Sequence, residues 1–188
     1  MYAILYLLLS YFLGNFLTAF FIIKWKTGKD IRTEGSNNPG ARNIGRLYGK
    51  PMFVLVFIGD ALKGWLAVWG ASFISSSPIY ILLVYLAVVT GHIYPYLLKG
   101  KGGKGVSTFI GGLIAFDTRL IIVLIAAFCI FYPIKHSFTF AGITAMVFLP
   151  FTLYFFHFSF LAILLFLIIV IMIVFAHMDN LRQRSRKA

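Results

Sequence analysis

Residues 158–176 read FSFLAILLFLIIVIMIVFA, from Phe158 to Ala176, without a single charged side chain. A helix needs about 20 such residues to cross the hydrocarbon layer of a bilayer, so this stretch is a membrane span. Working outward from it, six further apolar runs separate at polar breaks: 1–25, 51–75, 79–98, 106–116, 119–134 and 138–156. The expectation is an all-α, polytopic membrane protein with seven transmembrane helices. Composition agrees, because 61% of the 188 residues are hydrophobic and only 12% charged, against about half and a quarter in soluble domains. Residues 1–188 are read as one integral membrane domain, with no room for a separate soluble one. The first run lacks a basic leader and a small-x-small cleavage site, so it is expected to be a span rather than a signal peptide.

The fourth and fifth runs are short and share a thin break at Asp117-Thr118-Arg119. One continuous helix would leave two charges in hydrocarbon at a cost of several kcal/mol, so two helices with that triplet at the surface are expected. Orientation follows from the basic residues of the loops. Of the 17 lysines and arginines, only Arg119 falls on one side and only Lys63 inside a span. The remainder predict a cytoplasmic C-terminus and cytoplasmic long loops, with the N-terminus outside. A net charge of +12 distributed in this way points to anionic headgroups or anionic substrates, not to nucleic acid.

Two loops on the basic side carry the chemistry. Lys99-Gly100-Lys101-Gly102-Gly103-Lys104-Gly105 stands immediately before an apolar run. Glycines let backbone N–H groups converge on an anion, and the helix that follows adds its partial positive charge. The spacing is not that of a nucleotide-triphosphatase, because no Lys-Ser/Thr follows the second glycine at Gly105. The first loop holds Ser36, Asn37, Asn38, Arg42, Asn43 and Arg46 within eleven residues. Amides supply donors and acceptors, and guanidinium groups grip phosphate in a bidentate fork.

Ionisable residues also occur inside the spans. Asp60 and Lys63 lie one helical turn apart, about 13 Å below the basic surface by helical rise, and their spacing permits an ion pair that is either structural or lines a cavity. His92 lies at similar depth in Thr90-Gly91-His92-Ile93-Tyr94-Pro95. His177 and Asn180 form another one-turn pair where the last span reaches the basic side. No histidine–cysteine cluster has metal-ligand spacing, and neither a metal nor a cofactor is expected. A substrate with a phosphate and a lipid tail fits such a face, with the phosphate on the loops and the tail in the bilayer.

These residues resemble the bacterial acyl-phosphate:glycerol-3-phosphate acyltransferases, the PlsY family. The family's Asp-Ile-Arg-x-x-Gly-Ser-Gly-Asn-x-Gly-x-Thr-Asn-x-x-Arg looks like Asp30 through Arg46. Its Gly-His-x-x-Pro, followed by Lys-x-Lys-Gly-Gly-Lys-Gly-Val, is matched by Gly91, His92, Pro95 and Lys99 to Val106. Its Asp-x-x-Lys-Gly is similar to Asp60, Lys63 and Gly64. Asn37 stands where the family has glycine and Arg42 where it has threonine. The tail reads His177-Met178-Asp179-Asn180-Leu181 with no later glutamate, and the family's first-helix proline is missing near Leu13-Gly14-Asn15. The chain is thus similar to the family as a divergent member.

The resemblance implies acyl transfer from acyl phosphate to the 1-hydroxyl of glycerol 3-phosphate, giving lysophosphatidate and phosphate at the cytoplasmic face of a bacterial inner membrane. It implies a phosphate held by Lys104 and the amides of Gly102, Gly103 and Gly105. Ser36, Asn38, Asn43 and Arg46 would hold glycerol 3-phosphate, with His177 and Asn180 closing over it. His92, His177 and Asp60 are candidate bases, and a substrate phosphate oxygen is another acceptor for the proton. Two other readings share the basic face: a transporter of a small anionic metabolite, and an inactive homologue that accompanies lipid-synthesis enzymes.

Overall fold

The computed structural model describes the backbone of residues 1–185 and the side chains of residues 1–178. Among the described residues every regular element is helical: α1 (Tyr2–Asn15), α2 (Thr18–Thr27), α3 (Ala41–Tyr48), α4 (Lys50–Ser72), α5 (Pro78–Ile93), α6 (Val106–Phe116), α7 (Thr118–Lys135), α8 (Phe138–Phe155) and α9 (Phe160–Ser185), with 3₁₀ turns at Ile31–Thr33 and Tyr96–Leu98. Five helices (α4, α5 with its following turn, α7, α8 and α9) are long and apolar enough to cross a membrane. The pair α1–α2 makes a sixth candidate, bent by 44°. Helix α6 is apolar but has only 11 residues, a rise of about 16 Å.

These helices are apolar on all sides, so amphipathicity cannot decide which face turns inward. Small residues decide it instead. Without a hydrophobic driving force between helices in lipid, close backbone contact is what holds them. Helices α4 and α6 meet this way: a Cβ on Gly64 would strike the Thr108 carbonyl, and one on Gly111 would strike that of Ala61. The large side chains left outside, such as Ile122, Ile125 and Ile130 on α7 and Phe151 and Phe155 on α8, form a surface suited to acyl chains.

The run 1–25, expected as one span, is broken at Phe16-Leu17. No proline causes the break. The ion pair expected from sequence does form, with Lys63 Nζ 2.9 Å from Asp60 Oδ1, and it serves both broken ends. Lys63 donates to the carbonyls of Gly14 at 3.2 Å and Phe16 at 2.6 Å. Asp60 accepts from the Thr18 amide at 3.3 Å and the Thr18 hydroxyl at 3.0 Å. A cation thus sits at the C-terminus of α1 and an anion at the N-terminus of α2, each matched to the sign of the local helix dipole. The second break is where the sequence placed it. Asp117 caps α7 by accepting from the Arg119 amide at 3.0 Å.

The helix ends sort into two sets. Tyr80 donates to the Ala3 carbonyl, which joins the N-terminus to the start of α5, and Arg119 lies over the Phe156 ring, which joins the α6–α7 and α8–α9 breaks. The long polar loops meet at the opposite end. There the structure adds an element the sequence reading lacked. Residues expected as irregular loop form α3, which buries Ala41, Asn43 and Ile44 and rests Gly45 against Phe53 of α4.

Candidate active site

The first loop is built on its own side chains. Asp30 opens the 3₁₀ turn by accepting from the Arg32 amide at 2.9 Å, and Arg32 returns its guanidinium to the same carboxylate. That hydrogen bond holds the Asp30 carboxyl below its ordinary range. Arg32 then reaches across to donate to the Leu98 carbonyl at 2.9 Å, which clasps the first loop to the glycine–lysine loop. Beyond it, Asn43 is buried. Its Oδ1 accepts from the Ser36 amide at 2.9 Å and its Nδ2 donates to the Glu34 carbonyl at 3.0 Å. The side chain expected to grip a ligand therefore has both ends of its amide committed to the loop, and Asn43 acts by shaping the segment that carries Ser36. Asn37 sits at φ 60°. Asparagine is one of the few residues other than glycine that tolerates that region, so its presence in place of glycine needs no rearrangement.

Ser36 and Asn38 are partly buried, and Arg46 is exposed on α3. Arg42 crosses from α3 to the start of α8, where Nη1 donates to the Thr139 hydroxyl at 2.6 Å.

The glycine–lysine loop turns tightly on the end of α5. Lys99, Gly100 and Gly105 all have positive φ, and Gly105 stands at the N-cap of α6. Gly103 donates its N–H to the His92 carbonyl at 3.0 Å. A Cβ on Gly102 would strike the carbonyls of His92 and Ile93, and one on Gly103 would strike His92 Nε2. Two of the glycines are thus required for close approach to α5. This corrects one expectation, because the Gly103 amide is turned inward onto α5 and is not offered to an anion. The amides of Gly102 and Gly105 have no backbone acceptor among the described residues.

His92 lies beneath this turn, 2% exposed. Its Nδ1 is 3.0 Å from the Thr108 hydroxyl and 3.9 Å from Asp60 Oδ1. A ring so enclosed is badly placed to take a proton from a substrate, and its contacts are those of a support. His177 differs. It is partly buried on α9, and Nδ1 lies 2.8 Å from the Ile173 carbonyl. A carbonyl only accepts, so the proton resides on Nδ1, and in the neutral ring Nε2 keeps a free lone pair. The charges of Lys104 and Arg42 act on His177, and Gly105 rests near Ile173 one turn earlier, so α9 and the glycine–lysine loop face one another. Asn180 lies outside the residues whose side chains are described.

The structure brings the first loop, the glycine–lysine turn and the last helix to one end of the bundle. Asp60 and Lys63 are instead occupied by the α1–α2 break. No group of histidine, cysteine or acidic side chains suited to a metal occurs among the described residues. Sequence reasoning missed Thr108 and the bridging part played by Arg32, since neither contact is between sequence neighbours.

Residues 4–187 match the family described as glycerol-3-phosphate acyltransferase. The chain is 48% identical over 175 residues to "Glycerol-3-phosphate acyltransferase 1" of Bacillus anthracis, with 93% of each chain covered. It is 34% identical over 180 residues to the "Glycerol-3-phosphate acyltransferase" of Endomicrobium trichonymphae, covering 96% of this chain and 90% of that one. Among solved structures it resembles PlsY (YgiH), an integral membrane glycerol 3-phosphate acyltransferase, in its glycerol 3-phosphate form. The TM-score is 0.87 at 29% identity, over 100% of this chain and 94% of that one.

Proposed function

The chain belongs to the glycerol-3-phosphate acyltransferase family, and from that premise we propose that it transfers an acyl group from acyl phosphate to the 1-hydroxyl of sn-glycerol 3-phosphate, giving lysophosphatidate and inorganic phosphate. The observation that carries this reading is the meeting of the Ser36 loop, the Lys104 turn and His177 at one end of an otherwise apolar bundle. The transporter reading gains little from the opposite end, where Asp117 and Arg119 are the charged side chains among the described residues and pair with each other.

Acyl phosphate is a mixed anhydride. The hydroxyl oxygen of glycerol 3-phosphate attacks the acyl carbon, the bond from that carbon to the bridging phosphate oxygen breaks, and phosphate departs with the electron pair. Such a leaving group needs positive charge rather than a strong acid. Lys104 with the amides of Gly102 and Gly105 holds a phosphate. Ser36, Asn38 and Arg46 hold glycerol 3-phosphate, with Asn43 fixing the loop from below. His177 closes over the same substrate, and Asn180 is assigned to it as well. The hydroxyl proton passes to a substrate phosphate oxygen, so the protein contributes position and charge.

The chain crosses the membrane seven times, α1–α2 counting as one crossing and α6 as a short one. The basic end and the C-terminus face the cytoplasm of a bacterial cell, and the N-terminus faces outward. Purified protein in detergent, given palmitoyl phosphate and glycerol 3-phosphate, releases inorganic phosphate at a rate that needs both substrates. Absence of release would overturn the donor assignment. His177→Ala lowers kcat by less than about 100-fold, the lower end for loss of a general base. A larger fall with substrate binding intact would make His177 the base.

A further inference from the structure

Thr108 is wholly buried on α6, one turn beyond Lys104, and it touches two other helices. Its carbonyl lies against Gly64 of α4, and its hydroxyl lies 3.0 Å from Nδ1 of His92 on α5. On its other side His92 supports the turn: its carbonyl accepts the Gly103 N–H, and its Nε2 faces Gly103 closely enough to exclude a Cβ there.

The direction of the Thr108–His92 hydrogen bond follows from accounting for each proton. If Nδ1 carried the proton, the Thr108 hydroxyl would accept, and its own proton would be buried without an acceptor among the described residues. Leaving a buried donor unsatisfied costs more than an unfilled lone pair on an oxygen that already takes part in one bond. The arrangement that satisfies the fully enclosed hydroxyl has the Thr108 O–H donating to Nδ1. In a neutral imidazole the proton then resides on Nε2, the nitrogen that faces the turn and is not among the fully buried polar atoms left without a partner.

We propose that Thr108 is a positioning residue for the phosphate-binding turn: it fixes the tautomer and ring angle of His92, and His92 in turn holds the Gly102–Gly105 backbone in the shape that receives a substrate phosphate. The proposal rests on the reading of that turn as a phosphate site. It assigns Thr108 no contact with substrate and no part in proton transfer.

The test uses the full-length protein in detergent, with Thr108→Val, Thr108→Ser and Lys104→Ala beside the wild type. Removing one buried hydrogen bond from a supporting strut is worth roughly a tenfold loss. Thr108→Val is therefore expected to raise KM for a phosphate-bearing substrate about tenfold, to weaken inhibition by inorganic phosphate in parallel, and to leave kcat within about threefold. Thr108→Ser, which keeps the hydroxyl, restores KM to within about twofold of wild type. Nitrogen-15 NMR of histidine-labelled wild-type protein, with the His92 resonance assigned by His92→Gln, shows the proton on Nε2. That measurement stands even if Thr108→Val fails to fold. A proton on Nδ1 in the wild type would overturn the proposal, as would a Thr108→Ser variant as impaired as Thr108→Val, or a fall in kcat with KM unchanged. If Lys104→Ala leaves both KM values and phosphate inhibition unaltered, the phosphate-site reading itself fails. If Lys104→Ala weakens phosphate and Thr108→Val does not, only the present inference fails.

Discussion

Two breaks interrupt the apolar helices, and each is closed by an aspartate and a nearby cation. At Phe16-Leu17 the charges come from another helix and are almost completely buried, with 1% of the Asp60 side chain and 4% of the Lys63 side chain exposed. At Asp117 they come from the break itself, and 62% of the Arg119 side chain is exposed. Both aspartates accept the amide that opens the next helix. The chemistry is the same, but the energetics are not. A surface pair gains little because water screens it. A buried pair pays several kcal/mol in desolvation per ion and is kept only when geometry and further hydrogen bonds repay it. Toward that end the broken helix offers Lys63 two carbonyls and Asp60 Oδ1 an amide and a hydroxyl, while Asp60 Oδ2 is buried with no partner among the described residues. An apolar helical run can thus be broken without proline, provided a neighbour supplies the caps.

The largest expected effect comes from removing one charge of the buried pair. Asp60→Ala leaves the Lys63 ammonium without its counter-ion and is expected to cost about 3–5 kcal/mol, seen as a large fall in the thermal midpoint in detergent. A loss under about 1 kcal/mol would remove the distinction between the two breaks. Lys63→Met combined with Asp60→Leu sharpens it. The double variant should be less damaged than Asp60→Ala, because no lone ion remains, yet still weaker than wild type, because the Gly14 and Phe16 carbonyls lose their donor. If the double variant is no better than the single, uncompensated charge is not the cause of the loss. The smallest effect belongs to Asp117→Ala, which removes one helix cap worth about 1 kcal/mol and should leave turnover unchanged.

Acid titration separates the breaks further. The hydrogen bond from Arg119 holds the Asp117 carboxyl below its ordinary range. A group depressed in the folded state stabilises it above its unfolded pKa, and that contribution is lost as pH falls through the lower folded value. The wild type should therefore lose a small increment of stability below the ordinary aspartate range, about pH 4, and Asp117→Asn should lack that increment.

The two breaks also show what could be read in advance. Asp117-Thr118-Arg119 was legible because its cause is local: two charges between apolar residues cannot stay in hydrocarbon. The break at Phe16 was not, because its cause lies more than forty residues away on α4. The expected Asp60–Lys63 pair was correct, but nothing in its spacing says which backbone it serves. The same division runs through the site. The amides of Gly102 and Gly103 were expected to converge on an anion. Both glycines press against α5, and the Gly103 N–H is spent there, since the direction of an N–H is set by the turn and not by the residue. Asn43 was singled out as polar and useful, and the structure uses it inside the loop. Helix α3 was hidden among the turn-forming residues that precede it, and its short apolar set, Ala41 and Ile44, becomes visible only against α4.

The shortness of α6 has a geometric consequence. It rises about 16 Å between the glycine–lysine turn and the Asp117 break, whereas a typical hydrocarbon core is about 30 Å deep. If α6 is a crossing, as proposed above, the missing ~14 Å has to be made up by a pinched bilayer or by a well that lowers the turn beneath the surrounding headgroups. In either case the turn proposed to hold phosphate lies closer to the level where fatty-acid chains begin. A reactive group joined directly to an acyl chain could then meet a water-borne partner there, with the chain remaining among the lipids.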